Sequence, residues 1–245
     1  MRFYVINLDR SPERWAWIER DAAEHGLDIE RVPGVDGKAV AREAWIDVDH
    51  RAFRLLHGRL ILPGEYGCYR SHLEALDTVI RSGDDIALIC EDDVTLGRHI
   101  VEKVRSIVAE RPDLDMLKLT NHRVKGFVRH GGRGETDFGR CIHGPQASAA
   151  CYAVTREGAL RLRAELGTMR LPYDVAFERG WAMKATIFTM RWSGVHFRSE
   201  GLPSTIVPGK GEDAYARSKP NPLLRLPAAA FRAGDYARRA RYALR

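Results

Sequence analysis

One segment limits the fold of this chain more than any other: Ile86-Ala87-Leu88-Ile89-Cys90 is apolar at every position and runs straight into Glu91-Asp92-Asp93. A strand with water on one face alternates apolar and polar residues, so an unbroken apolar run of this length reads as a strand covered on both faces. Such strands belong to sheets with helices packed above and below. The surrounding pattern agrees. Phe3–Leu8 is another short apolar run, and Ser11-Pro12 after it offers a helix N-cap with proline in the first turn. Trp15, Ile18 and Ala22 then recur at helical spacing, and Gly26 closes the helix. Further helices are predicted over Gly64–Arg81, Arg98–Glu110 and Arg156–Leu166, with strands at Met116–Leu119 and Ala149–Val154. Alternation of this kind predicts an α/β fold with a mostly parallel, Rossmann-like sheet. The glycine-rich stretch Gly126–Gly144 reads as a loop, and the segment from Asn121 is long enough for a functional flap.

Composition excludes several classes. A chain of 245 residues buries enough surface to fold without disulfides or a structural metal. Its four cysteines form no C-x-x-C pair, which argues against a zinc ribbon or a thioredoxin-type site and for free thiols in a reducing, cytoplasmic setting. The N-terminal apolar run is too short for an export signal, and no run approaches the ~20 apolar residues of a membrane-spanning helix.

The net charge of +6 is unevenly placed. From Ala214 to Arg245 there are eight basic residues against Asp235 alone, which leaves the body near neutral. Prolines 208, 220, 222 and 227 break the pattern, so a domain over residues 1–210 and a basic tail over 211–245 are expected. The tail interleaves arginines with Leu223, Leu224, Leu226, Phe231, Tyr236, Tyr242 and Leu244. From Ala228 on, a helix there would set arginines beside an apolar stripe, a pattern suited to an anionic membrane surface. A helix packed on the domain and a disordered end are the alternatives. Nucleic acid is not an expected partner, because no reader motif accompanies the charge.

The carboxylates carry the chemistry. Ligands of open α/β sheets bind in the crevice outside the carboxyl ends of the strands, where Glu91-Asp92-Asp93 falls. Adjacent carboxylates repel one another, and a divalent cation relieves the repulsion; hard oxygen donors select Mg²⁺ or Mn²⁺. A solvated acidic turn is the alternative.

With Tyr4-Val5-Ile6-Asn7-Leu8-Asp9-Arg10, Arg14, Val35-Asp36-Gly37 and Pro63-Gly64-Glu65-Tyr66-Gly67-Cys68-Tyr69-Arg70-Ser71-His72, these carboxylates resemble glycosyltransferase family 25, the lipooligosaccharide biosynthesis glycosyltransferases. The likeness continues weakly through Tyr173-Asp174-Val175 and Ser204-Thr205-Ile206 and omits the tail.

The resemblance implies a GT-A-type fold and an inverting transfer of a hexose, commonly galactose, from a UDP-sugar to a hydroxyl of a lipooligosaccharide or glycolipid acceptor. It also implies a peripheral place on the cytoplasmic side of the inner membrane. Glu91 and Asp93, flanking Asp92, match its D-x-D pattern and become the expected ligands of Mn²⁺ or Mg²⁺. Asp174 becomes the expected general base, with a helix N-cap as the alternative role. Asn7, Arg10, Arg14, Asp36, Gly37 and Asp92 are the expected nucleotide residues, and Ser71 and His72 are expected near the donor sugar. His196 is taken as a third metal ligand, against a core or surface role. A metal-dependent phosphohydrolase and a nucleotide-sugar-binding module without catalysis are the rival functions.

Overall fold

The computed structural model describes residues 1–192, 194–198 and 225–245. The domain boundary expected at residue 210 and the Ser204-Thr205-Ile206 match lie outside them. Chain order is β1 (Phe3–Asn7), α1 (Pro12–His25), β2 (Ile29–Pro33), α2 (His50–His57), α3 (Pro63–Ser82), β3 (Ile86–Glu91), α4 (Arg98–Glu110) and β4 (Met116–Lys118). It continues through β5 (Lys125–Gly131), β6 (Phe138–His143), β7 (Cys151–Thr155), α5 (Arg156–Leu166), α6 (Tyr173–Ala176), α7 (Gly180–Met183), β8 (Ile187–Met190) and α8 (Leu226–Ala243).

The strands form one eight-stranded sheet in the order β2-β1-β3-β7-β4-β8-β6-β5. Alternation along β3 divides the core. Ala87 and Ile89 join the cluster that holds Leu73 and Leu76 of α3 and Leu162 of α5, while Leu88 and Cys90 join the opposite cluster with Ile18 of α1 and Val104 of α4. Both clusters are buried, which is why the run needed no polar residue. α1 ends where expected because Gly26 takes the left-handed conformation and returns its N–H to the carbonyls of Ala22 and Ala23.

Two expectations are corrected. The sheet is mixed rather than mostly parallel: β2, β1 and β3 run parallel, but β7 pairs antiparallel with both β3 and β4. The glycine-rich stretch is not a flap. It is the hairpin β5–β6, antiparallel at the sheet edge, joined to the rest where Phe138 and Gly139 pair with β8.

The described part of the basic tail takes one of the alternatives left open, a helix packed on the domain. α8 lies against the domain, with Ala228, Asp235, Arg239 and Ala243 buried. The Tyr242 hydroxyl donates to the Ala185 carbonyl at 2.7 Å and accepts from the Ile187 N–H at 2.8 Å. Among the described residues no helix is long and apolar enough to cross a membrane.

Candidate active site

The strand order turns over at β1: the chain leaves it through α1 to β2 on one side and returns through α3 to β3 on the other. Loops diverge at such a point and leave a crevice at the carboxyl ends of the strands. A cleft of about 690 Å³ opens there, and Arg10, Arg14, Asp36, Gly37, Ser71, His72, Glu91, Asp92, Asp93 and Asp174 all line it. Asn7 and His196 do not.

Strand alternation sends the three adjacent carboxylates different ways. Asp92 follows Leu88 and Cys90 to the α1 side, where it is 6% exposed and fully engaged. Arg14 donates to its Oδ1 at 2.8 Å and the Asn7 amide to its Oδ2 at 2.7 Å. The same amide donates to the Ser11 carbonyl, and Arg31 donates to Asn7 Oδ1. Asn7 is therefore a buried strut between β1, β2 and β3, not a group facing a nucleotide. Glu91 follows Ile89 to the α3 side and meets His72 Nε2 at 3.3 Å.

Asp93 passes into the turn. Its Oδ1 is buried without a hydrogen-bond partner, and burial together with the charges of Glu91 and Asp92 pushes its carboxyl up to about 7. A buried, unpartnered carboxylate oxygen beside a second cleft-lining carboxylate is the donor set a hard divalent cation takes. The residues present thus fit Mn²⁺ or Mg²⁺ through Glu91 and Asp93.

His196 does not complete that pair. Its side chain is exposed, and only its carbonyl is engaged, by the Thr95 N–H at 2.9 Å. Among the described residues, no set of three potential ligands that includes His196 or Asp93 has its donor atoms within 4.8 Å of one another.

The Val35-Asp36-Gly37 and Gly64–His72 motifs prove to be two sides of one contact. A Cβ on Gly37 would stand 1.8 Å from the Pro63 carbonyl, and one on Gly67 2.4 Å from the Val35 carbonyl. Both glycines are required because two backbones touch. Ser71 secures the same contact: its hydroxyl donates to the Gly67 carbonyl and accepts from the Val35 N–H at 2.8 Å. The loop so held presents Asp36 to Arg10 at 2.6 Å across the cleft mouth.

Asp174 opens α6 on the far wall. Burial, and then the negative charge of Glu178, raise its carboxyl above the usual range. No side-chain cap bond is made at the start of α6, whose N-cap position is Pro172, so the capping role is not the one Asp174 takes.

Residues of these motifs thus line one cleft. The family model described as glycosyltransferase family 25 (LPS biosynthesis protein) matches residues 1–177. The chain belongs to this family.

A glycosyltransferase 25 family member of Drosophila melanogaster is 27% identical over 168 residues, 66% of this chain and 28% of that protein. Procollagen galactosyltransferase 1 of Danio rerio is 25% identical over 189 residues, 70% of this chain and 30% of that protein. A protein of Rattus norvegicus named "Probable inactive glycosyltransferase 25 family member 3" is 24% identical over 189 residues, 72% of this chain and 33% of its own length. The family 25 chain thus spans about three-tenths of the length of these relatives.

Sequence reasoning missed a second layer behind the cleft wall. Lys118, inside the buried strand β4, donates to the Ala147 carbonyl at 2.6 Å and pairs with Glu178 at 3.5 Å. Glu178 also accepts from the Gln146 N–H at 3.1 Å and pairs with Arg239 of α8 at 3.1 Å. Burial pulls the Lys118 ammonium below its ordinary pKa, and the Glu178 charge opposes that pull.

The network holds a cleft-lining loop in which Ala147 and Ser148 both adopt positive φ, 60° and 66°. Non-glycine residues take that conformation only where surroundings impose it. The one signal in the sequence was a lysine in an otherwise apolar strand.

Proposed function

We propose that this family 25 chain is an inverting, metal-dependent transferase of GT-A type that moves a hexose, galactose first, from a UDP-sugar to a hydroxyl of a lipid-linked glycan. The observation that carries the reading is the meeting of Glu91 and Asp93, at the end of β3, with Asp174, at the start of α6, in one cleft at the switch point of the sheet. That the Danio rerio relative is named a galactosyltransferase supports galactose.

Glu91 and Asp93 would hold Mn²⁺ or Mg²⁺, which supplies Lewis-acid neutralisation of charge on the departing diphosphate. Asp174 takes the acceptor proton, and burial, by raising its carboxyl above the usual range, strengthens it as a base. Arg10 and Asp36 would meet the nucleotide at the cleft mouth, while Asn7, Arg14 and Asp92 would hold that wall instead of touching the donor.

A cytoplasmic location, peripheral on the inner membrane, is part of the proposal. It is supported by the free cysteines and by the outward arginines 232, 238, 241 and 245 of the C-terminal region.

A thermal-shift panel of UDP-, GDP-, CMP- and dTDP-sugars, each with and without Mn²⁺, tests the reading. A ligand at about 100 times its Kd stabilises by about 2.7 kcal/mol, so a UDP-sugar with Mn²⁺ should raise the midpoint by several degrees. No response to any UDP-sugar would sink the donor assignment. Free phosphate without an acceptor would favour a phosphohydrolase, and UDP-sugar binding without turnover a binding module.

A further inference from the structure

Cys68 and His72 stand one turn apart on α3, an i, i+4 pair on its cleft-facing side, and Glu91 reaches them from the end of β3. Their donor atoms all lie within 4.8 Å of one another: Cys68 Sγ is 3.9 Å and His72 Nε2 3.3 Å from the same oxygen of Glu91. Tetrahedral zinc with bonds of about 2.0–2.3 Å places its donors about 3.3–3.6 Å apart, so the trio closes on a cation with small side-chain adjustments.

The imidazole is also prepared for the task. Its Nδ1 lies 3.2 Å from the Tyr152 hydroxyl, which is itself 3.0 Å from the Tyr173 hydroxyl, and its ring stacks on Tyr173 at 4.3 Å. When Nδ1–H donates to the Tyr152 hydroxyl, Nε2 carries the lone pair that a cation takes.

We propose that Cys68, His72 and Glu91 form a site for a borderline-soft divalent cation of the Zn²⁺ class, with its fourth position open to the cleft. Thiolate and imidazole distinguish it from the all-oxygen pair of Glu91 and Asp93, since sulfur and nitrogen donors select zinc where carboxylates select magnesium or manganese. Zinc entry releases a proton from the Cys68 sulfur as the Zn–S bond forms.

Glu91 serves both sites. If the transfer reading holds, zinc takes Glu91 from Asp93 and lowers Mn²⁺-supported turnover.

The test uses Co²⁺ as a spectroscopic stand-in, added to the full-length, reduced protein. One equivalent should produce thiolate-to-cobalt charge-transfer absorption in the near ultraviolet, which Zn²⁺ then removes. Cys68→Ser should abolish the band and weaken zinc binding more than about 10-fold, while Asp93→Asn keeps it. Glu91→Gln, altered at a part-exposed strand end, supplies the same affinity test if the serine variant does not fold. Absence of the band in the wild type, or its survival in Cys68→Ser, overturns the site. Because the readout needs no sugar nucleotide, its failure is separate from failure of the transferase reading.

Discussion

Asp93 and Asp174 sit in the same cleft, yet substitution should separate their jobs. Asp93→Ala removes a carboxylate whose buried Oδ1 makes no hydrogen bond, so the fold should stay intact while Mn²⁺-dependent transfer disappears. Circular dichroism with a transfer assay checks both halves, and full activity would remove the metal pair. Asp174→Asn should retain UDP-sugar affinity and lower kcat by ~10²–10⁴, the usual contribution of a general base; an unchanged kcat assigns the group elsewhere.

Glu65 gives a stability readout. Its carboxylate accepts the Leu62 N–H at 2.8 Å at the start of α3, but burial outweighs that bond and pushes the group up to about 7. The folded state then binds more protons than the unfolded state between pH ~4.5 and ~7, so this residue's contribution to stability falls as pH rises through that window. Chemical denaturation of Glu65→Gln across the window should show a flatter profile than the wild type. Parallel profiles would mean that Glu65 titrates normally.

At the scale of elements, two junctions decide the site. The first is the backbone contact between the Val35–Gly37 loop and the N-terminal turns of α3. Gly37→Ala drives a methyl into the Pro63 carbonyl, and an overpacking cost of about 1–3 kcal/mol is expected, with loss of donor affinity as the loop moves. A wild-type melting temperature in that variant would show that the loop gives way freely.

The second junction is α8. Arg239→Ala leaves Glu178 buried with a weaker partner set, and breaking a buried pair costs about 3–5 kcal/mol. The Pro145–Ala149 wall should loosen with it. From the sequence alone, removal of residues 220–245 leaves transfer to a soluble acceptor intact. From the structure the opposite is expected, because α8 packs against β6 and anchors Glu178. Recovery of active, soluble truncated enzyme would show that α8 is dispensable.

For the molecule as a whole, charge and fold act on different faces. The inward side of α8 is spent on packing through Phe231, Asp235, Arg239 and Tyr242, which leaves exposed arginines and scattered apolar residues such as Tyr236 and Leu244 outside. Binding to anionic vesicles should therefore weaken steeply with salt, since exposed charges are screened over a Debye length of ~8 Å at physiological ionic strength. Salt-independent binding would shift the anchor to the apolar residues.

The helices α1, α3, α4 and α5 and the strand β3 were legible in the sequence because each is specified by its own periodicity and its own stop signal. The cleft's carboxylates were legible because a buried strand must deliver its last residues to the crevice. Pairing order was not legible: the same strands satisfy a parallel or a mixed sheet until β7 is seen between β3 and β4. Nor was the division of labour among Glu91, Asp92 and Asp93, which depends on which face each side chain enters and on what α1 and α3 offer there. The hairpin β5–β6, the docking of α8 and the Lys118–Glu178–Arg239 network join residues far apart in the chain. Local sequence specifies the pieces; only tertiary contact determines which buried charges find one another, because burial makes an unpaired charge too costly to leave and so makes each choice of partner collective.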